Sequence, residues 1–228
     1  VAQSLAEMLD ERTRDLEAYQ DRALADRYRT RVERIMALER ERTTGTQGLA
    51  DAVARAYYKV LAIKDEYEVA RLYTDGRFER DIAEHFSDVK AIRFHMAPPL
   101  ISQIDAATGR PVKRTFGPWL MPLLRGLAKA KRLRGGALDV FGRSAERRAE
   151  RAMIASYEAA LDAIERRLAP ATHATSVEIA SLPMAVRGYG VVKTRAIETY
   201  ERDRARLLEE LHRPAAAEPA RETAPAAE

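Results

Sequence analysis

Asp65, Glu66 and Glu68 place three carboxylates within four residues, and paired carboxylates are raw material for acid–base catalysis or for a metal. On a helix, Asp65 and Glu66 point about 100° apart. Lys64 stands four residues before Glu68 and Arg71 three after it, a spacing that suits ion pairs worth about 0.2–0.5 kcal/mol each. The densest basic cluster is Arg125, Lys129, Lys131, Arg132 and Arg134, followed by Gly135-Gly136. It has three readings: a grip on the phosphate of a nucleotide or coenzyme A, contact with an acidic partner surface, or a solvated helix end whose cations offset the macrodipole. No strand, glycine-rich loop and helix follow one another with phosphate-binding spacing, so there is neither a P-loop nor a dinucleotide fingerprint.

His95 sits between Phe94 and Met96 ahead of Pro98-Pro99. In a strand its ring faces opposite to both neighbours, toward an inter-domain cleft, as a structural histidine or as a proton donor. Arg187-Gly188-Tyr189-Gly190 reads as a glycine-flanked turn. The four histidines, His85, His95, His173 and His212, have no His-x-x-x-His or Glu-x-x-His spacing, which leaves a metal site unsupported. Cysteine is absent, so the chain offers no thiolate for an ordinary iron–sulfur cluster, no disulfide and no thiol nucleophile. Ser144 and Ser181 lack the glycines of a nucleophile elbow.

Composition bounds the remaining classes. The chain has 228 residues, 46% hydrophobic and 32% charged, a soluble, helix-rich profile with enough length for a real core. It begins at Val1 and reads as a fragment or processed product. No apolar run approaches the roughly 20 residues that span a bilayer, and the expected location is the cytoplasm. The net charge of +4 comes from 39 basic and 35 acidic residues. Interleaved signs of this kind favour a helix surface laced with ion pairs over a nucleic-acid track. Aromatic residues, at 7%, are too sparse for a base-stacking platform.

The elements that position these groups are mainly helical. Ser4-x-x-Glu7 is a capping-box signature. The apolar positions from Leu5 to Met36 then recur at steps of three and four, which predicts one long N-terminal helix of about 57 Å, or two consecutive helices broken near Thr13. A helix is expected over 49–73, closed by Asp75-Gly76, and a short one over 78–86. Residues 90–116 read as a small antiparallel β insertion of three strands, around 91–96, 101–104 and 112–116. The last two strands form a hairpin turning at Asp105, Thr108 and Gly109, with Trp119 and Phe116 as a core anchor beneath. Helices follow over 119–133, 144–168, with Leu161 and Ile164 in its core stripe, 171–182 and the C-terminal stretch to Leu211. The expectation is a single multi-helix domain over 1–212 and a disordered Pro/Ala/Glu tail over 213–228.

Five blocks, in order, carry a resemblance. They are the run from Lys64 to Gly76, Phe94-His95-Met96-Ala97-Pro98-Pro99-Leu100, Thr108-Gly109-Arg110-Pro111 with Phe116-Gly117-Pro118-Trp119, Leu133 to Asp139 with Phe141-Gly142, and Arg187 to Lys193. Together they resemble the C-terminal part of the fused long-chain indolepyruvate ferredoxin oxidoreductases, over about 19–211. The resemblance implies a parent that oxidatively decarboxylates aryl or branched 2-oxoacids to acyl-coenzyme A. That parent uses thiamine pyrophosphate with Mg and 4Fe-4S clusters, and passes electrons to ferredoxin. The chemistry of that family lies upstream, so this chain is expected to be a non-catalytic accessory domain with no cofactor of its own. Its partners would be the upstream catalytic domains and further copies of the parent, with neither nucleic acid nor membrane. A free-standing helical interaction module is the alternative. Glu66, Tyr67, Glu68, Arg71 and His95 exceed what an apolar stripe requires and are expected to line the docking surface. Charge reversal at Glu68 or Arg71 is then expected to leave the melting temperature of the chain nearly unchanged while weakening activity or assembly of the full-length enzyme.

Overall fold

The computed structural model describes residues 3–97, 102, 103, 105, 112–188 and 190–213. Ser4 opens helix α1 (Leu5–Tyr19): its hydroxyl accepts the Glu7 N–H at 3.2 Å while the Glu7 carboxylate accepts the Ser4 N–H at 2.9 Å. The long N-terminal helix is not continuous, and the break is not at Thr13. Thr13 stays helical, donating to the Leu9 carbonyl. The chain turns instead at Gln20-Asp21, where the Asp21 carboxylate accepts the Leu24 N–H and starts α2 (Arg22–Arg42). A paired Asp10 and Arg29 show that α2 folds back along α1.

Helix α3 (Leu49–Leu61) starts from Gly48 at φ +117°, a left-handed conformation suited to glycine, with no side chain at that position to cap it. Its first N–H groups are satisfied from a distance. The buried Glu39 carboxylate accepts from Leu49 and Ala50 at 2.8 and 2.9 Å and also meets His173 Nε2 at 2.8 Å. The helix expected over 49–73 is therefore two helices. Asp65 accepts the Glu68 N–H at 2.8 Å and begins α4 (Glu66–Thr74) after a loop. Gly76, also at positive φ, leads into α5 (Arg77–His85).

Strands β1 (Phe94–Met96) and β2 (Arg114–Phe116) pair antiparallel, with Phe94 opposite Phe116, His95 opposite Thr115 and Met96 opposite Arg114. The sheet has two strands among the described residues; the strand expected at 101–104 and the turn at Thr108-Gly109 lie largely outside them. The chain continues through α6 (Leu120–Lys129), which tightens into a 3-10 turn over Ala130–Leu133. Helix α7 (Ala145–Arg167) is capped by Ser144 as its sequence predicts, and α8 (His173–Ser181) and α9 (Val191–His212) follow. The fold is mainly α. The tail beyond Arg213 lies outside the described residues.

Two hydrophobic clusters result. The larger joins α1–α3 to α7–α9, so that both ends of the chain build one core. Leu161 and Ile164 are fully buried in it, each worth about 1.5–3 kcal/mol of transfer free energy. Tyr28, Tyr57 and Tyr157 line up through it at 6.0 Å centroid spacings. The Tyr28 and Tyr157 hydroxyls are satisfied by the carbonyls of Ala54 and Ala180. Helices α2 and α7 run parallel along its flank, tied by Arg27 to Glu158, Arg31 to Asp162 and Arg34 to Glu165. The smaller cluster gathers Ala70, Phe94, Leu120 and Leu124 from α4, β1 and α6.

Candidate functional site

The densest buried polar group joins those two clusters. After the 3-10 turn, Arg134 points back at the loop between α3 and α4. Its guanidinium donates to both Asp65 oxygens, at 2.5 and 2.9 Å, and to the Tyr19 carbonyl at 2.8 Å, while lying 3.8 Å from the centre of the Tyr19 ring. Asp65 thus caps α4 with one oxygen and holds Arg134 with both. Burial pushes the Tyr19 hydroxyl well above its ordinary range, with the Arg134 charge opposing it.

One turn along, the Tyr67 hydroxyl donates to Asp139 at 3.2 Å. Burial, reinforced by the Asp139 charge, pushes that phenol up to about 12. Asp139 also accepts the N–H groups of Gly135 at 2.8 Å and Gly142 at 2.9 Å. Burial alone would raise its pKa. The two backbone donors and the Tyr67 hydroxyl win, and they hold the carboxyl below its usual range. A Cβ at Gly142 would stand 2.3 Å from an Asp139 oxygen, so only glycine lets this loop close on the carboxylate.

A cavity of about 250 Å³ lies beside this junction, reaching Arg27, Arg147, Arg151 and Phe141. Its charged groups are engaged within the chain. Arg147 holds Glu66 and the buried Glu150, Arg151 donates to the Gly142 carbonyl at 2.6 Å, and Arg27 pairs with Glu158. Lys193 of α9 reaches the same Glu150. Chemically this arrangement clamps helices together: removing Arg147 or Lys193 takes a counter-charge from the buried Glu150.

The residues expected to face a partner are drawn into this system. Tyr67 is 3% exposed, and Glu68 is buried. Arg71 donates twice to Glu68 at 2.7 Å and reaches Asp15 at 3.2 Å, and Glu66 faces Arg147. These four are intradomain ties and not an open docking surface. Their excess of charge over a simple apolar stripe is spent inside the fold. His95 does project outward, on the side of the ribbon opposite Phe94. Its Nδ1 is 3.0 Å from the Thr115 hydroxyl, the residue facing it across the pair.

The basic cluster divides. Arg134 is committed to Asp65, and Lys131 donates to the Glu17 and Ala18 carbonyls at the end of α1, a helix terminus that favours a cation. Arg125 pairs with Glu79 on the surface, and Lys129 and Arg132 are exposed. The five cations therefore do not converge on one anion. The Arg187 turn is a backbone device: Gly188 adopts φ +95°, and a Cβ there would meet the Val192 side chain at 2.8 Å. Tyr189 lies outside the described residues.

Trp119 is 61% exposed and so is not the core anchor that its neighbour Phe116 suggested. Asp139, Glu39 with His173, and Glu150 with Arg147 and Lys193 were not legible as a set. The available signal was an acid flanked by Gly135 and Gly142, the composition of a loop that closes on a carboxylate. Among the described residues, no group of three or more His, Cys, Asp or Glu is placed to hold a metal ion, and no helix is long and apolar enough to cross a membrane.

Comparison with known proteins matches residues 5–206 to a family of unknown function, DUF6537, and the chain belongs to that family. No curated protein and no solved structure matches it.

Proposed function

We propose that this member of the DUF6537 family is the C-terminal, non-catalytic domain of an indolepyruvate ferredoxin oxidoreductase-like enzyme. Its role there is architecture: it holds interdomain or subunit contacts for a parent that converts aryl or branched 2-oxoacids to acyl-coenzyme A with ferredoxin as acceptor. One observation carries this reading. Four of the five sequence blocks that bear the resemblance meet in pairs. Asp65 and Tyr67 of the first block close on Arg134 and Asp139 of the fourth, and Phe94 of the second pairs with Phe116 of the third. Blocks spent on junctions suit a scaffold.

The parent's cofactors do not fit the residues of this chain. It has no cysteine to ligate a cluster, and the charged groups around the junction cavity are already engaged with one another. Thiamine pyrophosphate, Mg and the 4Fe-4S clusters belong to the upstream domains in this reading, and the location is the cytoplasm. The test is to tag this chain in its native host, purify it, and measure two things: whether it is covalently continuous with a thiamine- and iron-containing polypeptide, and whether the product reduces ferredoxin with indolepyruvate. Both results are expected to be positive. A tagged species with the mass of this sequence alone, inactive toward 2-oxoacids, overturns the reading in favour of a free-standing interaction module.

A further inference from the structure

The basic charge of the chain is concentrated. Residues 89–134 contain ten of its 39 basic residues and only one of its 35 acidic ones, Asp105, which leaves 29 basic and 34 acidic residues elsewhere. Within this segment Lys90, Arg93, Lys113, Arg114, Lys129 and Arg132 are exposed. None of the six side chains has a hydrogen-bond or ion-pair partner among the described residues.

The outer side of α6 adds apolar surface to that charge. Trp119 and Leu123, one helical turn apart, are 61% and 60% exposed. The Trp119 ring has fixed neighbours. Phe116 meets it edge-on at 5.9 Å, and it lies so close to Gly117 that a Cβ there would stand 3.3 Å from it. The face thus carries an anchored, exposed tryptophan and Leu123 toward the start of α6 and the unpaired side chains of Lys129 and Arg132 at its far end, apolar and charged groups side by side as in a protein-binding surface.

We propose that this face of α6 docks an acidic protein surface, whose apolar recess receives Trp119 and Leu123 while its carboxylates meet Lys129 and Arg132. Charge complementarity selects the partner's sign. The single tryptophan selects protein over single-stranded nucleic acid, which calls for successive stacking platforms. The inference stands on this surface alone and does not depend on the identity of the parent enzyme.

Trp119 is the only tryptophan, so its emission reports the face directly. The full chain is titrated with a synthetic helix-forming peptide carrying Glu on one face and Leu on the other, and with the same peptide carrying Lys in place of Glu. The expected result is a blue shift and protection from acrylamide with the Glu peptide only. Affinity should fall about tenfold in the K129E/R132E double variant, whose melt matches the parent, and fall also in Leu123→Ser. An unmoved emission, or binding that survives the double variant, overturns the proposal. So does a stronger response to phosphatidylserine-containing vesicles or duplex DNA, which would assign the face to another polyanion. Concentration-dependent burial of Trp119 without peptide would assign it to a second copy of the chain and equally overturn it.

Discussion

The guanidinium of Arg134 stacks 3.8 Å from the centre of the Tyr19 ring while gripping Asp65 with two hydrogen bonds. One side chain thereby binds the end of α1 to the start of α4 and joins the two hydrophobic clusters. Arg134→Ala leaves Asp65 buried without its counter-charge, and a loss of about 3–5 kcal/mol is expected. Arg134→Lys keeps the charge but not the planar fork, so its loss should be intermediate. Denaturant unfolding of both variants checks the order; equal stability of all three proteins would refute the clamp.

Asp139 gives the fold an acid-sensitive contribution. Its folded pKa lies below the ordinary 3.8, so the stabilisation is complete above that value and is lost as pH falls through the folded pKa. Asp139→Asn cannot accept both backbone N–H groups with a charge. The variant should be less stable than the parent near about pH 6, and the gap should narrow toward about pH 3. Urea midpoints at both pH values test the sign, and a gap that widens on acidification would contradict it.

Arg71 carries a prediction opposite to the one its sequence context suggests. Its side chain is only 12% exposed and is bonded to Glu68 and Asp15. The Glu68 hydrogen bonds raise its pKa further despite burial. Arg71→Glu would set a new acid against Glu68, Asp15 and Asp75 in a largely buried site, and the melting temperature should fall by several degrees. An unchanged melt would return these residues to the role of a free docking surface.

In α7, Leu161 and Ile164 are fully buried in the larger core. Truncating either to Ala should cost about 2–5 kcal/mol, depending on how far the site collapses around the cavity. Calorimetric unfolding of the two variants measures it.

Legibility followed the range of the interaction. Ser4-Glu7 and Ser144 marked their helix starts because capping is decided within four residues, and the Leu161 stripe showed its buried side through periodicity alone. Asp21 and Asp65 hid real helix starts, because apolar spacing continues across both breaks and only the caps interrupt it. Glu39, which satisfies α3 from ten residues away and meets His173, leaves no local trace. Tyr67 and Arg71 looked like surplus polar groups because their partners, Asp139 and Asp15, are distant in sequence. Trp119 misled in the other direction, its size implying burial that the structure does not provide.

The shared core of α1–α3 and α7–α9 also imposes an order in time. Helix α3 ends at Leu61 and α7 begins at Ala145, so the first three helices leave the ribosome roughly 80 residues ahead of the partners that cover them. At about 5–20 residues per second, that is a wait of roughly 4–16 s. During it the side of Tyr57 that packs against Tyr157 of α7 stays uncovered, so α3 presents an open apolar face, a site for chaperone capture, while the middle segment is being made.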